Sequence, residues 1–342
     1  MAERVAAFAP GRVNLSGEHT DYNDGLCLPF AIEHGVTVTA EATGGRGIEV
    51  LARDLGEGDR FDALEAPPAS GWRAFVRGTV AELRAVGIDV PGARIEIVGD
   101  VPIGAGLSSS GALGVSLCLA LIAVSGAAPP PRIELARLCS RIENEWVGAQ
   151  TGLLDQLAAL HGRGSHALRL DIRELEVLAV PLELEGWALA TLDSGASRAN
   201  ASSGYNRRRE ECRAACEALG VRSLRAVDRG RLTELPPPLA RRARHVLSEN
   251  ERVERMVAAL ERRRFQDAGA LLDESHASLR DDYEVSVPEV EEAIARTKRA
   301  GAVGARIHGG GFGGHVLALF PPGAEPPAGA LEVRAGPGAR LL

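Results

Sequence analysis

The spacing of apolar positions divides the chain into strand-like and helix-like stretches. Strict alternation in Gly35-Val-Thr-Val-Thr-Ala-Glu-Ala and in Ala93-Arg-Ile-Glu-Ile-Val predicts two strands, because successive strand side chains point to opposite faces. Apolar residues three and four apart predict helices over 74–86, 113–124, 132–146 and 155–161. Further on, 188–193 reads as a strand and 205–219 as a charged helix. Helices fill 239–265 and 288–300, and 304–307 pairs with 316–320 across a glycine turn. The segment 10–25, dense in Gly, Asp and Asn, reads as turns. Strands and helices mixed in this way give an α/β (α+β) class in two halves, which meet near residues 180–205.

One stretch tests this picture. Residues 101–131 carry no charge, and about 20 apolar residues suffice to cross a bilayer. Gly104, Gly106, Gly111, Gly114 and five serines interrupt the run, so a buried core helix is expected and not a membrane span. With 342 residues, 45% hydrophobic and 25% charged, the chain can bury a sizeable core, in two domains. A net charge of -7 and a pI near 5.7 argue against a nucleic-acid partner, which calls for a basic footprint. Of the 39 basic residues one is lysine, Lys298, and the other 38 are arginine. The five cysteines (27, 118, 139, 212 and 216) contain no C-x-x-C pair, which suggests free thiols in a reducing cytosol. The N-terminal residues lack the layout of a secretory signal, so a cytoplasmic protein is expected.

Three clusters carry chemistry. In the first, Pro10 to Gly25, Arg12, Glu18, His19, Asp21 and Asp24 stand among turn-forming residues. Carboxylates that accept and a histidine that donates or accepts suit a polyhydroxylated ligand, and the same residues also suit a solvated, turn-rich loop. The second, Val101-Pro-Ile-Gly-Ala-Gly-Leu-Ser-Ser-Ser-Gly-Ala-Leu, is a glycine loop running into hydroxyls and an apolar helix. Such a helix start can hold phosphate on its free N–H groups, or it can be a capped helix entry alone. No lysine precedes position 298, so neither a Walker A loop nor the protein-kinase strand lysine is available. The third, His308-Gly-Gly-Gly-Phe-Gly-Gly-His315, matches G-x-G-x-x-G but leads into a strand-like run, which excludes a dinucleotide fingerprint. Its glycines point to a close backbone approach or to a hairpin tip.

In this order the clusters resemble the GHMP kinase superfamily, and the first closely resembles the galactokinase signature. Pro10-Gly-Arg-Val-Asn-Leu, Gly17-Glu-His-Thr-Asp-Tyr-Asn-Asp-Gly, Gly104-Ala-Gly-Leu-Ser-Ser-Ser and Gly309-Gly-Gly-Phe-Gly-Gly carry the likeness. So do Gly152-Leu-Leu-Asp-Gln, Arg244-His-Val-Leu-Ser-Glu-Asn and Ser278-Leu-Arg-Asp-Asp-Tyr-Glu-Val-Ser, so it spans nearly the whole chain. It implies an N-terminal ribosomal-S5-like α/β domain over 1–187, a ferredoxin-like C-terminal domain over 188–342, and a site in the cleft between them.

The implied activity is ATP-dependent phosphorylation of galactose at its anomeric hydroxyl, with ATP and Mg²⁺. A related 1-kinase for N-acetylgalactosamine or arabinose, or a non-catalytic sugar and ATP sensor, is the alternative. The implied partners are a small-molecule sugar and ATP, with no nucleic acid and no membrane, and the expected state is a monomer or weak homodimer.

Residue roles follow from the resemblance. Arg12 and Asp155 match the catalytic pair. Glu18, His19, Asp21, Gly152 and Tyr205 match sugar contacts. Gly104, Ala105, Gly106, Leu107, Ser108, Ser109 and Ser110 match the phosphate loop, Ser110 and Glu143 the magnesium ligands, and Trp72 an aromatic near the adenine. A Glu18 that accepts from the sugar's 6-hydroxyl would disfavour a uronic acid, since two carboxylates would then meet. The chain departs from the family pattern at Gly111, Gly114, Gly204, Val287, His308 and His315.

Overall fold

A computed structural model describes residues 4–102, 106–196 and 201–342, with the backbone alone for 201 and 202. Gly104 and Ala105 of the expected phosphate loop lie outside the described residues. The first sheet is built from β1 (Arg4–Asn14), β3 (Pro29–Ala42), β4 (Gly47–Ala52), β5 (Glu57–Asp62), β6 (Ala93–Gly99) and β13 (Arg340–Leu341). Its order is β13-β1-β3-β6-β4-β5, with β4 and β6 parallel and the other pairs antiparallel.

Helices α1 (Trp72–Ala85), α2 (Ser109–Val124), α3 (Arg132–Arg141) and α4 (Leu154–His161) share one apolar core with this sheet. The charge-free stretch becomes α2, whose Val115, Leu117, Leu121 and Ile122 are buried in that core. A helix apolar on every side belongs inside, and among the described residues no helix is long and apolar enough to cross a membrane. The helix expected over 132–146 continues past α3 as a π-helical turn, Ile142–Val147, which ends at Gly148 in the left-handed region.

Two smaller sheets complete the molecule. β2 (Leu26–Cys27), β7 (His166–Asp171) and β8 (Glu176–Pro181) form a three-stranded meander. The last sheet holds β9 (Ala188–Asp193), β10 (Gly304–Ile307), β11 (His315–Phe320) and β12 (Leu331–Val333), in the order β10-β11-β9-β12. Counted within that sheet, the order is second, third, first, fourth, all pairs antiparallel, which is the ferredoxin-like arrangement. Between β9 and β10 run α5 (Ala201–Leu219), α6 (Pro237–Glu261), α7 (Phe265–Asp281) and α8 (Pro288–Arg299). The helix expected through 265 stops at Glu261, and Phe265 instead opens α7. β13 carries the chain back to the first sheet and pairs Ala7 with Leu341.

The segment expected as turns is partly strand. β1 runs to Asn14 and bulges between Pro10 and Arg12, because Arg12 N–H leaves the ladder to donate to Leu107 O at 2.9 Å. Gly11 makes this approach possible, as a Cβ there would stand 2.4 Å from Leu107 O. Gly11→Ala is therefore expected to lower stability by about 1–3 kcal/mol, the usual range for overpacking against fixed backbone, measured by urea unfolding.

Candidate active site

The end of β1, the N-termini of α2 and α4, the loop before α4, the start of α5 and the glycine turn after β10 converge on one cavity of about 350 Å³. Arg12 organises its floor. Its Nη2 lies 2.7 Å from Asp155 Oδ1, and Nη1 donates to Gly106 O at 2.6 Å. Burial opposes the charge on Arg12, but Asp155, then Glu18 and Asp21, outweigh it and hold its pKa above the usual value. Asp155 stands in the first turn of α4, where the helix dipole favours negative charge. It packs on α2, since a Cβ at Gly111 would come within 2.9 Å of Asp155 Cβ. The glycine at this departure from the family pattern thus lets α4 close onto α2.

The cavity lining contains Arg12, Glu18, His19, Asp21, Gly152, Asp155 and Tyr205, together with the loop residues Gly106, Leu107, Ser108, Ser109 and Ser110. Ser108 enters α2 from the left-handed region, and its hydroxyl is buried without a hydrogen-bond partner. Gly152 lies against Asp21, whose Oδ2 would stand 2.1 Å from a Cβ there. Burial, and then the charge of Asp155, push Asp21 up to about 6. Burial pushes His19 down to about 3, so its imidazole is neutral; Nδ1 meets Tyr22 Oη at 2.8 Å and Nε2 has no partner.

Glu18 is the most constrained member. Its Oε1 accepts from Gly309 N–H at 3.0 Å and lies 2.5 Å from Arg306 Nη2. Burial would raise its pKa, but the charge of Arg306, with His308 Nδ1 standing 3.5 Å away, holds it far below the ordinary range. Arg306, fully buried in β10, also reaches Leu15 O at 3.2 Å and Ser275 Oγ at 3.3 Å, with Glu249 Oε1 at 3.7 Å. Glu249 in turn accepts from Gly17 N–H at 2.9 Å and Ser275 Oγ at 2.8 Å, and pairs with Arg252 at 2.6 Å. His245 Nε2 lies 3.1 Å from Glu18 O, and Asn250 Oδ1 accepts from Leu26 N–H at 2.6 Å. The loop from Leu15 to Leu28 is thus held from α6, α7 and β10.

Two expected residues stand elsewhere. Glu143 is buried behind the cavity wall and accepts from Gln156 at 2.7 Å and Thr151 at 3.1 Å. Burial, then Asp155, raise its pKa, against the hydrogen bonds from Thr151 and Gln156. Trp72 is outside the lining, at the start of α1, where its Nε1 donates to Glu57 at 3.0 Å. Gly309 to Gly311, singled out in the sequence for a close backbone approach, line the cavity; the residues missed in the sequence are Gln150, Thr151 and Asn206 of the lining and Arg306 behind Glu18. Arg306 had a visible signal, a charge inside the otherwise apolar strand Gly-Ala-Arg-Ile.

Known proteins share this layout. The galactokinase galactose-binding signature matches residues 2–42, the GHMP kinases N terminal domain 74–163 and the GHMP kinases C terminal domain 256–337. Galactokinase from Roseiflexus sp. (strain RS-1) is 45% identical, over 92% of this chain and 83% of its own. This chain belongs to the galactokinase family. Galactokinases of Mycobacterium tuberculosis (strain H37Rv; 45% identical, 93% of this chain and 89% of theirs) and Thermotoga neapolitana (40%, 92% and 89%) are similar over the same extent. The crystal structure of Lactococcus lactis galactokinase complexed with galactose superposes with a TM-score of 0.91 at 31% identity, covering 99% of this chain and 95% of that one. A mevalonate kinase at 18% identity and a TM-score of 0.65 shares the fold. The protein is thus a sugar kinase of the GHMP type, with ATP as the family's phosphoryl donor.

Arg306→Met would leave Glu18 and Glu249 buried beside an apolar side chain. A stability loss of about 3–5 kcal/mol is expected, as for removal of one partner from a buried ion pair, measured by denaturant unfolding.

Proposed function

We propose that this protein transfers the γ-phosphoryl group of ATP to the anomeric hydroxyl of galactose, giving galactose 1-phosphate and ADP. The observation that carries the proposal is the Arg12–Asp155 pair at 2.7 Å, facing the same cavity as Glu18, His19, Asp21 and Tyr205. Asp155 accepts the proton of the attacking hydroxyl. Arg12 fixes that carboxylate and offsets negative charge on the group in transfer. Phosphoryl transfer is mostly positioning and electrostatics, so a rigid pair suits it. The sugar is oriented by the acceptors Glu18 and Asp21, by the neutral His19 and by Tyr205, with Gly152 leaving room for Asp21. A neutral hexose fits better than a uronic acid, because Glu18 stays ionised.

The nucleotide phosphates are assigned to the loop 104–110 and the N-terminus of α2, where the unpartnered Ser108 hydroxyl and free N–H groups suit an anion. Ser110, which lines the cavity, and Glu143 just behind it offer only oxygen donors, a set that suits Mg²⁺, which holds few protein ligands and shares the substrate's phosphates. When bound there, the ion would neutralise charge on those phosphates. Trp72 is assigned to the adenine on the family resemblance alone. The five thiols, all free, fit a cytoplasmic protein.

Asp155→Asn should keep sugar affinity within about threefold and lower kcat by about 10²–10⁴, the span of general-base contributions. Calorimetry and coupled ADP release measure the two quantities; normal turnover would remove Asp155 from this role. Asp21 accepts from the sugar more strongly when ionised, so lowering the pH through about 6 should raise KM for galactose. Asp21→Asn should lose that inflection in a KM against pH profile, whereas His19, already neutral, contributes none.

A further inference from the structure

Two residues near the cavity go against the preferences of the elements that hold them, and they touch each other. Gly204 lies in the first turn of α5, where glycine loosens a helix and alanine would hold it better. Phe312 is the one side chain in the run 309–314, which is otherwise all glycine. Its φ of 59° is a backbone conformation that glycine adopts freely and phenylalanine only under strain. Local choices that disagree with their surroundings mark places where something else is gained. The gain here is a contact. A Cβ at 204 would stand 2.6 Å from Phe312 Cε2, 2.7 Å from Cζ and 2.9 Å from Cδ2, so the ring edge fills the space that a side chain at 204 would need.

Both partners are anchored to the same short segment. Phe312 N–H donates to Val285 O at 2.7 Å, and a Cβ at Gly311 would stand 2.6 Å from Val285 Cβ. One turn after Gly204, Arg208 donates to Tyr283 O at 2.5 Å and to Glu284 O at 3.1 Å, and its guanidinium stands 5.7 Å from the centre of the Phe312 ring. Residues 283–285 therefore hold the glycine turn and α5 together.

The residue that this contact places is the next one in the chain. Tyr205 lines the sugar cavity, whereas Phe312 is outside the lining. The Tyr205 ring lies against Gly310, where a Cβ would be 3.1 Å from Tyr205 Cδ2. Its centroid is 5.3 Å from that of His19 and 5.5 Å from that of Tyr22.

We propose that Gly204 and Phe312 are paired positioning residues that set how deeply Tyr205 enters the sugar cavity. Phe312 acts through the start of α5 and does not touch the sugar. Carbon atoms in contact need about 3.5–4.0 Å, so a methyl at 204 displaces one side by roughly 1 Å. The ring is packed against the apolar cluster that contains Val285, so the helix start gives way and Tyr205 moves with it. A shift of that size is enough to spoil substrate positioning. The role of Tyr205 toward the sugar rests on the galactose reading above; its seating does not.

The test is a double-mutant cycle in the full chain. Gly204→Ala should raise KM for galactose roughly tenfold, about the worth of one hydrogen bond, and leave KM for ATP within about twofold. Its thermal unfolding midpoint should fall, although Gly→Ala within a helix ordinarily raises it. Phe312→Ala removes every ring atom that the methyl would meet. In that background Gly204→Ala should raise the midpoint and leave KM for galactose unchanged. Without sugar, NMR of the chain carrying ¹³C-labelled Tyr and His should show cross-peaks between the Tyr205 and His19 rings that weaken in Gly204→Ala.

An unchanged KM for galactose in Gly204→Ala, or an equal rise in both KM values, overturns the proposal. So does a midpoint that falls equally in both backgrounds, or ring cross-peaks that Gly204→Ala leaves intact. Should Phe312→Ala fail to fold, the KM split and the cross-peaks of Gly204→Ala decide alone. Absence of turnover with every sugar would instead overturn the galactose reading, and the cross-peaks would still decide whether residue 204 seats Tyr205.

Discussion

Arg306 holds a positive charge in the fully buried interior. Its guanidinium sits between Glu18 and Glu249, and none of the three can lose its partners without leaving a bare charge in the interior, which is far costlier than the pair is beneficial. The carboxylates come from different parts of the chain, one from the loop after β1 and one from α6, while the cation comes from β10. Wherever these elements go in folding, they are obliged to meet. The sugar-facing loop is shaped by this obligation as much as by its own turns.

A second arginine works in the same manner at the other end of the cavity. Arg12 joins β1 to the loop before α2 through Gly106 O, and to α4 through Asp155. The bulge at Gly11 and the missing side chain at Gly111 let backbone and carboxylate come this close. The two arginines divide the labour: one fixes where the sugar loop stands, and the other fixes where the reacting carboxylate stands relative to the phosphate loop. Glu18 feels both, which accounts for a carboxylate that stays ionised although it is buried.

How far the sequence revealed this depended on range. Strands such as 93–99 and helices such as 72–85 follow a local period and were legible within a residue or two. β1 was hidden because Pro10, Gly11 and the following Asn suggest turns, while its pairing with β3 depends on residues far along the chain. The α6–α7 boundary was hidden because apolar spacing continues through Phe265 and the break at 262–264 carries neither proline nor glycine. Among site residues, Arg12, Glu18, His19, Asp21 and Asp155 stood out by motif. Arg306 did not, and Glu249 stood in a quoted motif without a role, since their meaning lies in each other's company across the fold. The hydrogen-bonded contact of His19 and Tyr22 with Tyr283, and of Tyr283 with Cys212, could not be read at all, because the first pair and the other two residues are far apart in sequence.

The Glu18–Arg306 contact also bears on how this site could be redesigned. A binding residue that merely lined a cavity could be exchanged freely to widen the range of sugars accepted. Glu18 is instead half of the joint that seats the loop, so any exchange there edits architecture and recognition together. Variants selected for new sugars should therefore arise as coupled changes at 18 and 306, or else leave both untouched and alter the opposite wall around Tyr205 and Asn206.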